Sequence, residues 1–235
     1  MEKEYIKIKT EKPKTRFSKN TDVLKTKDDK FWKDWIFYCL LSFYQEFDRK
    51  ILKQKIEKIP SRVEKTIADF IRDYLIQNPE FDGVCGFIIN REPLNDGNIE
   101  GYYDIKIQHS SWKNRMFCFE CKNLKEKQDL INKYVYHNKE NQIFDGGVYR
   151  FFNGKYAQNQ DFGGMIGFVL EGNYLNIKAK IHEKLNEKFD ISPEGDLVNK
   201  KIADNSIQEN DFTFDSYHHR KNREFVIHHL LFCVR

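Results

Sequence analysis

Asp104, Glu120 and Lys122 are the residues whose types and spacing invite chemistry, and all three lie in the stretch Tyr102 to Leu124, YYDIKIQHSSWKNRMFCFECKNL. Side chains along a strand point alternately to opposite faces. In the first run Tyr103, Ile105 and Ile107 therefore share one face, and Asp104, Lys106 and Gln108 the other. In the second run Phe117, Phe119 and Cys121 share a face, with Cys118, Glu120 and Lys122 opposite. Paired as an antiparallel hairpin, the two runs bring Asp104, Glu120 and Lys122 onto one polar surface above an apolar sheet. Two carboxylates suit a hard cation such as Mg²⁺, with Mn²⁺ as a substitute, because Mg²⁺ takes oxygen ligands, keeps several waters and shares phosphate oxygens. Such an ion stabilises charge on a phosphoryl group and acidifies bound water, while a neighbouring lysine positions water or offsets developing charge. The same residues also fit a solvated strand face with a surface ion pair, worth about 0 to 1 kcal/mol. Spacing alone does not choose between the two.

The elements that must hold these residues follow from periodicity. From Phe31 to about Lys58 the spacing is helical, with Phe31, Trp35, Cys39 and Phe43 on one face and Trp32, Ile36, Leu40, Tyr44 and Phe47 widening it. Pro60 breaks the chain, and a second helix is expected from Ser61 to about Gln77. On it Glu64 has two readings. It is the return partner of a capping box on Ser61, which chemistry alone favours, or it borders the buried face and points toward Asp104. Gly86 to Arg91 reads as a strand and Asn95-Asp96-Gly97-Asn98 as a turn, so 86–122 is expected to be a three-stranded meander. A charged helix with Leu130, Ile131, Tyr134 and Val135 inward follows, then a mostly helical 141–158, broken near Gly146-Gly147, in which Tyr149, Phe151, Phe152 and Tyr156 interleave with Arg150 and Lys155. Gly163 to Leu170 reads as a central strand, 174–189 as a helix and 192–211 as a long polar connection. Strands at 212–214 and 225–234 close the chain around the basic turn His219-Arg220-Lys221-Asn222-Arg223.

The chain of 235 residues fits one domain, 31–235, preceded by a basic, flexible arm over 1–30 that holds ten Lys/Arg against six Asp/Glu. A charged fraction of 32% raises the question of disorder, but 20 Phe, 12 Tyr and 3 Trp supply ample surface to bury. A net charge of +4 is too small to imply nucleic acid without a local patch. Such patches are Lys113 and Arg115 beside Trp112, and Arg220, Lys221 and Arg223, each of which also fits a solvated hairpin tip. Five cysteines without a framework read as reduced thiols and a cytoplasmic location. Cys118 and Cys121 form a C-x-x-C, yet residues three apart on a strand face opposite ways, so packing is preferred over zinc or redox work. The pairs His218-His219 and His228-His229 read as core or surface residues. No apolar run is long enough for a membrane span.

The order of helix with Glu64, strand, strand with Asp104, strand with Phe119-Glu120-Cys121-Lys122, then helix and strand resembles the PD-(D/E)xK nuclease superfamily, over about residues 61–170. Glu120-Cys121-Lys122 matches the E-x-K element and Asp104 the acidic residue of the preceding strand. Glu64 matches the acidic residue often found on the first core helix. Tyr103 stands where the motif's name puts proline, and no Q-x-x-x-Y follows, since Gln142 is followed four residues later by Gly146. The resemblance implies a restriction-endonuclease-like α/β core, a central mixed β-sheet flanked by helices, with an extra N-terminal helix and a C-terminal β-hairpin. It implies that Asp104 and Glu120 bind metal with the Cys121 carbonyl, that Lys122 assists catalysis and that Glu64 completes the outer site. The expected activity is metal-dependent hydrolysis of phosphodiester bonds by an endonuclease, in DNA before RNA, in restriction or defence against foreign DNA. The alternatives are a non-catalytic nucleic-acid-binding module and an interaction subunit on the same fold. A homodimer or a defence-complex partner stays open.

Overall fold

The computed structural model describes residues 8, 10–91, 101–136, 145–153, 155–187, 199–220 and 223–234. Its strands are β1 (Ile88–Arg91), β2 (Ile105–Gln108), β3 (Phe117–Lys125), β4 (Phe162–Glu171), β5 (Asn199–Ala203), β6 (Thr213–Arg220) and β7 (Arg223–Cys233). They form one mixed sheet in the order β1-β2-β3-β4-β7-β6-β5. The pairs β3/β4 and β4/β7 are parallel, and the other neighbours are antiparallel. The helices are α1 (Thr21–Lys25), α2 (Asp29–Glu46), α3 (Arg49–Lys58), α4 (Val63–Gln77), α5 (Gln128–Val135) and α6 (Tyr174–Leu185). The result is an α/β fold with helices on both faces of the sheet.

Parallel strands are covered on both faces, and β4, buried from Phe162 to Val169, sits at the centre. Its glycines make that possible. A Cβ at Gly164 would lie 2.2 Å from the Phe119 ring and one at Gly163 2.3 Å from the Phe151 ring, so both faces close tightly on β4. On the first face Phe37 of α2 meets Phe117, Phe119 and His228, and Tyr44 stacks on Phe232 at 4.4 Å. On the second, Tyr134 of α5 hydrogen-bonds His229 Nδ1 at 2.9 Å, and Phe214 stacks on His229 at 4.2 Å. His218, His228 and His229 are buried in the core, and burial lowers the pKa of His228 and His229 toward the neutral ring. Among the described residues no helix is long and apolar enough to cross a membrane.

Several expectations change. The helical stretch from Phe31 splits in two, because the Asp48 carboxylate accepts the Lys50 and Ile51 amides at 2.8 and 3.0 Å and so caps a new helix. Within 141–158 the described residues hold one 3-10 turn, Val148–Phe151, instead of a helix. There Phe151 and Phe152 both pack on Phe225, a placement that binds the turn to the hairpin. Residues 199–203 of the expected polar connection form the edge strand β5, and the buried Asn205 donates to Asp215 Oδ1 at 2.8 Å. The closing hairpin is part of the main sheet, since β7 pairs with β4 along eight residues from Phe162 to Val169. The described part of the basic arm packs on the body. Phe17 lies among Phe31, Trp32, Trp35 and Phe87, and Trp35 Nε1 donates to the Thr15 carbonyl at 3.1 Å. The turn expected at Asn95-Asn98 lies outside the described residues.

Candidate active site at the open edge of the third strand

The antiparallel meander β1-β2-β3 forms as the alternation implies, and its register sets the site. The β2/β3 ladder ends at Ile105 opposite Phe119, whereas β3 continues alone on that side to Lys125. Beyond the ladder the backbone amides of Cys121 and Asn123 need acceptors, since a buried N–H left unpaired is costly. Two carboxylates supply them. Asp104 Oδ2, from the residue just before β2, accepts Cys121 N at 2.6 Å, and Glu64 Oε2 of α4 accepts Asn123 N at 3.1 Å. Strand splay thus draws Asp104 and Glu64 to the E-x-K segment from two different elements.

Lys122 Nζ stands between the acids, 2.5 Å from Glu120 Oε1, 3.1 Å from Glu64 Oε1 and 2.9 Å from the Cys121 carbonyl. Arg150 adds a second cation, its Nη1 lying 2.6 Å from the same Glu120 Oε1. Asp145 holds the rest of that guanidinium, with Oδ1 3.0 Å from Nε and Oδ2 3.2 Å from Nη2, and also receives Lys155 Nζ at 3.3 Å. The Tyr156 hydroxyl is 3.2 Å from Arg150 Nη1 and donates to the Tyr102 carbonyl at 2.5 Å.

Glu120 is fully buried, with the part-exposed Lys122 and Arg150 beside it. A solvated strand face with a surface ion pair is therefore ruled out. The capping box fails as well. Ser61 sits inside a 3-10 turn, Pro60–Arg62, and no side chain caps α4, because Glu64 spends its oxygens on Asn123 and Lys122.

The two central carboxylates are driven apart in acidity. Burial and the neighbouring Glu120 charge push Asp104 well above the usual range, outweighing Lys122 and the Cys121 amide. Glu120 moves down: burial opposes its charge, but Lys122 and Arg150 overcome that. Burial also opposes the Lys122 ammonium, and Glu120, Glu64 and Asp104 outweigh it, so the lysine stays charged at neutral pH. It is a cation here, not a base.

The donor set suits a small, hard cation. Glu120 Oε2 is buried and has no hydrogen-bond partner among the described residues, and the Glu120 charge disfavours that of Asp104 even with Lys122 beside them. Together with the Cys121 carbonyl they make two carboxylates and one backbone oxygen, leaving the waters that Mg²⁺ retains to complete its shell. Among the described residues no group of three or more His, Cys, Asp or Glu side chains is arranged to hold a metal. Glu64 belongs with Lys122 instead of with that donor set.

The expected nucleic-acid contacts divide. Lys113 and Arg223 are exposed, and Lys221 lies outside the described residues. Arg115 is already paired with Asp161 at 2.9 Å and Asp29 at 3.1 Å. Arg220 is removed from any surface patch: it is 5% exposed, and its guanidinium donates to the carbonyls of Phe151, Tyr156, Ala157 and Gln160. The hairpin arginine is a strut under the loop that carries Arg150. The cysteines are free thiols, and Cys118 and Cys121 are buried on opposite faces of β3.

No family model, curated protein or solved structure matches this chain.

Arg150, Asp145 and Tyr156 are site residues that the pattern of the sequence did not single out. The one signal was an arginine set inside an aromatic run, a place where a charge needs a partner.

Replacing Glu64 with glutamine keeps an acceptor for Asn123 but removes the ion pair with Lys122. With Glu64 one-third exposed, the loss of stability is about 1 kcal/mol or less. Glu64→Ala removes both contacts and should melt lower than Glu64→Gln. Identical melting curves for the two variants would contradict the role of Glu64 at the strand edge.

Proposed function

We propose that this protein is a metal-dependent nuclease hydrolysing internal phosphodiester bonds, and that its core is restriction-endonuclease-like. The observation that carries the reading is the half-buried Asp104, just before β2, next to the fully buried Glu120 of β3, with a Glu120 oxygen that has no hydrogen-bond partner among the described residues and Lys122 on the same face. The order α4, β1, β2, β3, α5, β4, an antiparallel meander followed by a parallel crossover, supports the fold assignment. Asp104, Glu120 and the Cys121 carbonyl would hold Mg²⁺ or Mn²⁺, which when bound supplies charge stabilisation to a phosphoryl group and acidifies water. Lys122, fixed by Glu120, Glu64 and the Cys121 carbonyl, presents a permanent positive charge to the developing oxyanion. Glu64 positions that lysine. DNA as the preferred substrate, and a role in restriction or defence, rest on fold-level analogy.

Supercoiled, linear and single-stranded DNA incubated with Mg²⁺, Mn²⁺ or EDTA test the reading. Cleavage should need the metal and should fall roughly 100- to 1000-fold in Lys122→Ala, the loss typical of one electrostatic contact to a transition state. Cleavage that persists in EDTA and in Lys122→Ala discards the assignment. Salt-sensitive binding with no cutting in either metal points to the non-catalytic module.

A further inference from the structure

The feature unexplained by the E-x-K segment is Arg150. It places Nη1 on Glu120 Oε1, the oxygen that Lys122 already occupies at 2.5 Å, and leaves Glu120 Oε2 without a partner among the described residues. An arginine that served only to neutralise a carboxylate would gain most by a two-pronged pairing with both oxygens. Arg150 gives its two-pronged pairing to Asp145 instead. The guanidinium is thus hinged on Asp145 and turns one remaining N–H edge toward the reacting end of the site. Its side chain is 21% exposed, against 0% for Glu120, so the arginine reaches solvent where the carboxylate does not.

Charge balance agrees. Three cations, Lys122, Arg150 and Lys155, face four carboxylates, Asp104, Glu120, Glu64 and Asp145. With all ionised the cluster is one charge negative. A divalent cation makes it one charge positive, which a phosphodiester's single negative charge balances.

We propose that Arg150 is the phosphate-gripping residue of this site, hinged on Asp145 and exchanging Glu120 for a non-bridging oxygen of the scissile phosphodiester. The inference rests on the nuclease reading above. In this role Arg150 and Glu120 separate when Glu120 carries a divalent cation, so that Arg150 on Oε1 and that cation compete for the charge of one carboxylate before the substrate arrives. Asp145 is the positioning residue.

Three measurements on wild type, Arg150→Gln and Arg150→Lys test the role: Mn²⁺ affinity without DNA, by electron paramagnetic resonance; DNA affinity in Ca²⁺; and the single-turnover cleavage rate. Arg150→Gln should bind Mn²⁺ about tenfold more tightly, equivalent to about 1.4 kcal/mol. It should bind DNA more weakly and cut roughly 100-fold more slowly. A wild-type cutting rate, or weaker Mn²⁺ binding, overturns the proposal, the second because Arg150 would then merely brace Glu120. If Arg150→Gln does not fold, Arg150→Lys decides. A slower rate at unchanged Mn²⁺ affinity supports the grip of a guanidinium hinged on Asp145, which a lysine cannot reproduce, and a wild-type rate overturns it. Wild-type protein that neither binds Mn²⁺ nor cuts DNA refutes the nuclease reading itself and takes this inference with it, an outcome separate from all of these.

Discussion

Asp104→Asn is expected to abolish metal-dependent cleavage and at the same time to make the protein more stable. Asp104 is half-buried beside Glu120, and both desolvation and that neighbour disfavour its charge. Asparagine keeps an oxygen for the Cys121 amide, which Asp104 binds at 2.6 Å, and removes the like charge. The gain should be about 1 kcal/mol, raising the melting temperature of a chain of this size by about 2 to 4 °C. Its sign with pH follows from linkage. A carboxyl whose folded pKa is raised holds more protons folded than unfolded, so its contribution to stability declines as pH rises above about 4. The advantage of Asp104→Asn should therefore widen from about pH 4 upward and be small below it. Added Mg²⁺ should raise the melting temperature of the wild type, as any ligand of the native state does, and leave the variant unmoved. A variant that is less stable than wild type at pH 7, or that still cuts DNA, would defeat this account of Asp104.

Arg220→Ala is expected to be among the most destabilising single changes. The buried guanidinium supports four carbonyls between Phe151 and Gln160 and lies 4.0 Å over the Phe225 ring. Removing it orphans several buried acceptors at once, for about 3 to 5 kcal/mol. Denaturant unfolding measures that loss. Cleavage should fall too, because the unsupported segment carries Arg150, Lys155 and Tyr156. A phosphate contact would behave differently: its loss lowers the salt dependence of DNA binding by about one unit of slope and spares the fold. An unchanged unfolding midpoint with a shallower salt slope would return Arg220 to the surface.

The meander was legible because alternation is a property of the chain alone. Tyr103, Ile105 and Ile107 against Phe117 and Phe119 specify a register, and the observed pairing of Ile105 with Phe119 puts Asp104 next to Glu120. The central strand was legible from its glycines, which leave room for Phe119 and Phe151. What stayed hidden depends on distant partners. Whether Glu64 caps its helix or crosses to β3 is decided by where the β2 ladder stops, and no local pattern encodes that. Arg220 read as a basic turn residue, since only the assembled sheet shows the carbonyls of 151–160 converging beneath it. Among the described residues of 141–158 the expected helix gives way to a short turn whose Phe151 and Phe152 pack on Phe225, a tertiary contact that overrides local preference.

The halted β2 ladder has one more effect. A strand edge with unsatisfied amides is a template on which another chain can add its own strand, the first step toward aggregation. Asp104 and Glu64 sit on the amides that an incoming strand would use. The acids proposed to serve hydrolysis therefore also shield this edge from an incoming strand, and replacing both with small apolar residues should make the protein aggregate.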